Sequence, residues 1–111
     1  MEITETLYVT DRAHWRKWLA ANYKNKHEIW LVYYKKATDK PTIPYNDAVE
    51  EALCFGWIDG IEKRIDDERY AGRFTPRNPK TPYAESNKAR LRTLLAKGKV
   101  LPEVARSLPD F

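Results

Sequence analysis

The stretch Glu28–Lys36 (EIWLVYYKK) constrains the fold more than any other part of the chain. Side chains alternate across a strand, so Ile29, Leu31 and Tyr33 point one way and Trp30, Val32 and Tyr34 the other. Both sets are apolar. A strand with one wet face has no use for that pattern, so the segment reads as a central strand covered on both sides. The rest of the chain must supply the cover, and its 111 residues suffice for one domain with one core.

The material for that core is aromatic. Trp15, Trp18, Leu19 and Tyr23 recur at helical spacing, which predicts a first helix over about 11–23, capped by Thr10 or Asp11. Such a large apolar stripe suits core packing better than ligand stacking. A second helix is predicted over about 45–56, opened by Pro44 and closed by Gly56. Its apolar face carries Tyr45, Ala48, Val49, Ala52, Leu53 and Phe55, and its polar face Asn46, Asp47, Glu50, Glu51 and Cys54. Beyond Gly56 the acidic turn Asp66-Asp67-Glu68 separates two short strand-like runs, predicting a β-hairpin over about 57–75. Three prolines (Pro76, Pro79 and Pro82) force an extended connection to a last helix over about 82–97, which ends at Gly98. The tail 101–111 is expected to be partly ordered, with one turn from Pro102 and a fraying end. The order of elements predicts an α+β fold, with a small, mainly antiparallel sheet packed with three helices.

No apolar run approaches a membrane span, and the opening MEITETLYVT is too polar for a signal peptide, so a cytoplasmic protein is expected. The lone Cys54 excludes an internal disulfide. No glycine-rich phosphate loop, metal triad or Ser–His–Asp pattern is present, and no cofactor is expected.

Charge is distributed unevenly. The first 68 residues carry 10 basic and 13 acidic side chains, whereas 69–100 carry nine basic and only Glu85. A block of that sign concentrates anions. Within it, Arg69, Arg73 and Arg77 share a parity on the second hairpin strand. Lys80, Thr81 and Tyr83 follow at the start of the last helix. Guanidinium forks beside free helix N–H groups suit a phosphate or carboxylate, and interleaved aromatics suit stacking on a base. The competing reading pairs these arginines with nearby hairpin acids. A second constellation, Glu50, Cys54, Trp57 and Asp59, would form a thiol–carboxylate pocket if other elements enclosed it. The thiol lies near a helix C-terminus among acids, which raises its pKa and argues against a nucleophile.

IWLVYYKK (Ile29–Lys36), PYNDAVEEALCFGWIDG (Pro44–Gly60), DDERYAGRFTPRNPKT (Asp66–Thr81) and N-x-x-R (Asn87–Arg90) resemble the YdeI/OmpD-associated protein family. The most specific piece is EEALCFGWIDG followed by RFTPR. The resemblance implies a link with bacteriocin protection and stress or antimicrobial-peptide tolerance. It also implies that the chain corresponds to the N-terminal domain without the usual C-terminal helical module. Tyr83-Ala84 stands where such proteins tend to have Trp-Ser, which weakens the cap of the last helix. The expected function is a non-catalytic accessory or binding role in tolerance. The alternatives are an anion or nucleic-acid binder on the Arg69–Lys99 surface, or an enzyme built on the Cys54 pocket. A protein partner is also compatible, and the oligomeric state is open.

Overall fold

The computed structural model describes residues 1–109 and is α+β: a four-stranded mixed sheet packed with three helices of 10 to 12 residues and one shorter helix. The elements are β1 (Thr6–Leu7), α1 (Arg12–Asn22), β2 (Ile29–Tyr34), α2 (Tyr45–Cys54), β3 (Trp57–Arg64), β4 (Arg69–Pro76), α3 (Glu85–Ala96) and α4 (Pro102–Ser107). The sheet order is β1-β2-β4-β3, so β2 is an interior strand as its two apolar faces require. β2 and β3 each pair antiparallel with β4, and the two-residue β1 pairs parallel with β2. β1 is too short to carry a periodic signal, and it went unpredicted for that reason.

Residues directly opposite across a ladder share a face. Ile29, Leu31 and Tyr33 oppose Phe74, Gly72 and Tyr70 on the helix-covered face. There they join Trp15 and Leu19 of α1, Ala48, Val49, Ala52 and Leu53 of α2, and Leu91 and Leu94 of α3 in one core. On the other face Trp30 and Val32 are also buried, opposite Arg73 and Ala71. Trp15 stacks on Trp18 and meets Phe74 edge-on, and its indole donates to the Ala48 carbonyl at 2.9 Å. The α1 stripe is therefore core, with Trp18 and Tyr23 at its margin.

Two local expectations need correction. First, α3 begins at Glu85 rather than near 82. Tyr83 is buried and the chain stays extended through Ala84 (φ −63°, ψ 152°), so Thr81 caps nothing. Second, the division of α2 into an apolar and a polar face does not hold at every position. Cys54 lies in the core, and Glu51 is buried, with Arg16, Lys99 and Arg12 at 2.9, 3.0 and 3.3 Å from its carboxylate. Tyr45, assigned to the apolar face, is instead exposed at the mouth of the helix. The tail turns helical from Pro102 as expected, forming α4, and the expected fraying of its end falls partly on residues 110–111, outside the described residues. Gly56 ends α2 at φ +75°, a conformation that glycine adopts without steric cost, and turns the chain directly into β3. No helix is long and apolar enough to cross a membrane.

Removing one partner from a buried ion cluster leaves uncompensated charge and costs about 3–5 kcal/mol. Glu51→Ala should therefore lower the urea-unfolding free energy by about that amount. A loss below about 1 kcal/mol, typical of exposed pairs, would show that the carboxylate does not organise the fold.

Candidate functional site

The row of arginines inferred from strand parity is not assembled. Arg69 and Arg73 oppose Tyr34 and Trp30 on the outer face of the sheet. There Arg69 makes two bonds to the Asp66 carboxylate, at 2.9 and 2.8 Å, and Arg73 binds Glu28 at the start of β2. Arg77 lies beyond the strand end. Its backbone N–H donates to the Gly56 carbonyl at 2.9 Å, and its guanidinium takes a different course from the other two.

That guanidinium lies over the buried Tyr83 ring, with Cζ 3.8 Å from the centroid, and donates to the Thr81 carbonyl at 2.7 Å. Among the described residues it has no carboxylate partner. Stacking on a tyrosine face favours a guanidinium and leaves the remaining edge donors of the planar fork free for a ligand. These residues line a cleft of about 380 Å³ between the open end of the hairpin and the start of α3. Ile58, Asp59 and Thr75 contribute from the strands, and Ala84 and Asn87 from the helix. Ala84 offers no side-chain cap, so the first N–H groups of α3 lack a side-chain acceptor. Asn87 is buried and its Oδ1 accepts from Arg90, whose other nitrogen donates to Asn46 of α2. The amide NH₂ of Asn87 is thereby left as its donor. Lys80 is exposed outside this lining.

Asp59 introduces the opposite charge. It lines the same cleft, and its carboxylate accepts a hydrogen bond from the Tyr45 hydroxyl at the start of α2. That bond pushes the Tyr45 phenol up to about 12, with burial adding to the shift, so Tyr45 stays a donor at neutral pH. The cleft therefore has a cationic end at Arg77 and an anionic wall at Asp59. It suits a ligand that carries a negative group and a hydrogen-bond donor.

The Glu50–Cys54–Trp57–Asp59 constellation does not converge on one pocket. Cys54 and Trp57 are packed in the core, while Glu50 is bonded at 2.7 Å to Arg12, which also binds Asp47. Only Asp59 reaches an open cleft. Burial pushes the Cys54 thiol up, and nearby Glu51 adds to that shift against the opposing pull of Arg16. A second cleft, missed by sequence reasoning, lies at the start of α2. Tyr33, Tyr45 and Tyr70 line it beside the loop after β2. The spacing of those tyrosines on three separate elements carries no local signal; only the β2–β4 register brings two of them together.

A family model described as a domain of unknown function (DUF8412) matches residues 7–107, and the chain belongs to that family. No curated protein and no solved structure matches it.

Two outcomes follow from this geometry. A thiol reagent should leave Cys54 unmodified in the native protein and label it fully in denaturant; rapid native labelling would contradict its burial. The Asp66 carboxyl is held at about 2, first by Arg69 and then by the backbone N–H groups of Glu68 and Arg69. A depressed folded-state value means a stabilising contribution present above the ordinary 3.8 and lost as pH falls through about 2. In Arg69→Ala the Asp66 midpoint, followed by NMR, should rise part of the way toward 3.8. An unmoved midpoint would mean that the ion pair is not formed in solution.

Proposed function

We propose that this DUF8412 member is a non-catalytic binding domain that holds a small molecule with an anionic group in the Arg77 cleft. One observation carries the reading. Arg77 alone of the three hairpin arginines lacks a carboxylate partner among the described residues, and it is pinned over Tyr83 where three otherwise distant segments meet. Those segments are the end of CFGWIDG (Asp59), the end of RFTPR (Arg77) and the start of N-x-x-R (Asn87). The anionic group of the ligand sits at the guanidinium, and a donor on the same ligand serves Asp59.

The burial of Cys54 and the engagement of Glu50 by Arg12 favour binding over thiol catalysis. A small anion is favoured over nucleic acid because the basic block is interrupted. Arg69, Arg73, Lys88 and Lys99 are each taken by a carboxylate, so no continuous phosphate track is supported. The wider role, in stress or antimicrobial-peptide tolerance, rests on the resemblance to the YdeI/OmpD-associated family. In that role the cleft would recognise an anionic ligand rather than transform it.

The test is an NMR titration with inorganic phosphate and, separately, a short single-stranded oligonucleotide, each at two salt concentrations. Phosphate should give saturable shifts clustered over 75–87. Arg77→Gln should weaken binding about tenfold, the loss expected for one charge-assisted contact, while Arg69→Ala leaves it intact. Absence of saturable shifts there, or equal binding by Arg77→Gln, removes the reading. Far tighter oligonucleotide binding with a steep salt dependence would transfer it to nucleic acid.

A further inference from the structure

The tyrosine-lined cleft is separate from the Arg77 cleft and occupies about 730 Å³ at the end of β2. Its inner wall is the Tyr33 ring, which stacks on Tyr70 of β4 with centroids 5.1 Å apart and planes 15° from parallel. Gly72 permits this arrangement, since a Cβ at that position would stand 3.0 Å from Tyr33 Cε2. The ring is thus held flat against β4 by two neighbours. Yet the Tyr33 hydroxyl, in a residue only 2% exposed, makes no hydrogen bond among the described residues. A buried hydroxyl of this kind is unusual and calls for a partner. Burial is also the first cause that raises its pKa, so it remains a neutral phenol that can both accept and donate.

The surroundings of this hydroxyl select the partner. Glu62 and Asp59 act on it electrostatically, and each disfavours negative charge there. Glu62 and Tyr45 line the adjoining hollow. An incoming carboxylate would be repelled, whereas a protonated amine could donate to the hydroxyl while meeting tyrosine faces. The outer rim has the opposite sign. Lys35 and Lys36 line it and are in no ion pair among the described residues, while Lys40 is paired with Glu68. We propose that this cleft binds a small zwitterion of the amino-acid type, its ammonium group on the Tyr33 hydroxyl and its anionic end at Lys35 and Lys36. Tyr33 is buried and the two lysines are exposed, which favours a ligand with separated charges over a compact cation or anion. This proposal does not depend on the Arg77 reading.

The probe is γ-aminobutyrate, with butyrate and butylamine as single-charge controls, followed by amide NMR. The zwitterion should give saturable shifts over 33–45 and at Tyr70 in the millimolar range, with each control weaker. Tyr33→Phe should weaken binding about tenfold, the effect of one charge-assisted hydrogen bond, without lowering the thermal midpoint of the free protein. Lys35→Gln/Lys36→Gln should weaken the zwitterion and leave butylamine unchanged. Arg77→Gln should bind normally, which separates this site from the other. The proposal is overturned if either control binds as tightly as the zwitterion or if no saturable shift occurs in this cleft. It is overturned equally if Tyr33→Phe lowers the thermal midpoint, because the hydroxyl would then have an internal partner.

Discussion

A carboxylate with no access to water holds three parts of this chain in register. Glu51 projects from α2 into the space between α1 and the segment after α3, where Arg16, Lys99 and Arg12 surround it. Burying one charge is costly, and a single cation rarely compensates; three cations with hydrogen bonds at 2.9 and 3.0 Å can. The same cations reach further. Arg16 also donates to the Lys99 carbonyl, and Arg12 also binds Asp47 and Glu50. The Leu101 N–H donates to the Cys54 carbonyl, closing the C-terminal segment over the end of α2. α2 is consequently held to α1 and to the segment after α3, and its first residue, Tyr45, lines the tyrosine cleft.

That fixation matters because Tyr45 and Asn46 open α2 and touch the two clefts through different partners. Tyr45 lines the tyrosine cleft and donates to Asp59, which lines the Arg77 cleft. Asn46 accepts from Arg90, which in turn holds Asn87 in the wall of the Arg77 cleft. Asp59 is therefore a shared boundary: one oxygen accepts from a phenol of one cleft while the carboxylate faces the other. The charges that define each cleft are separated by a single strand and the first turn of one helix.

The basic block of 69–100 shows how linear charge counts mislead. Its net sign is correct, but the acids that quench Arg69, Arg73 and Lys99 come from outside it, namely Asp66, Glu28 and Glu51. Glu28 lies 45 positions from Arg73 and Glu51 lies 48 from Lys99. Coulomb energy depends on distance in space, and only β2–β4 pairing and the closure after α3 bring these groups within contact. Among the described residues Arg77 has no carboxylate partner: the strand ends before it, so its guanidinium folds back onto Tyr83 instead of across the sheet.

Local pattern determined most of the architecture. The two-sided apolar strand, the α1 stripe capped by Asp11, the hairpin around Asp66–Glu68 and the break at Gly56 each follow from periodicity and turn chemistry, which act over a few residues. The meeting of Arg77, Thr81 and Tyr83 was legible for the same reason, since they are near neighbours on the chain. Tertiary structure alone decided the remainder. Helical spacing placed Glu51 on a polar face, but burial depends on what packs against that face, and here it is α1 and the chain after α3. Likewise Tyr33, Tyr45 and Tyr70 lie on three elements whose convergence depends on strand register and helix docking, which no short-range pattern encodes.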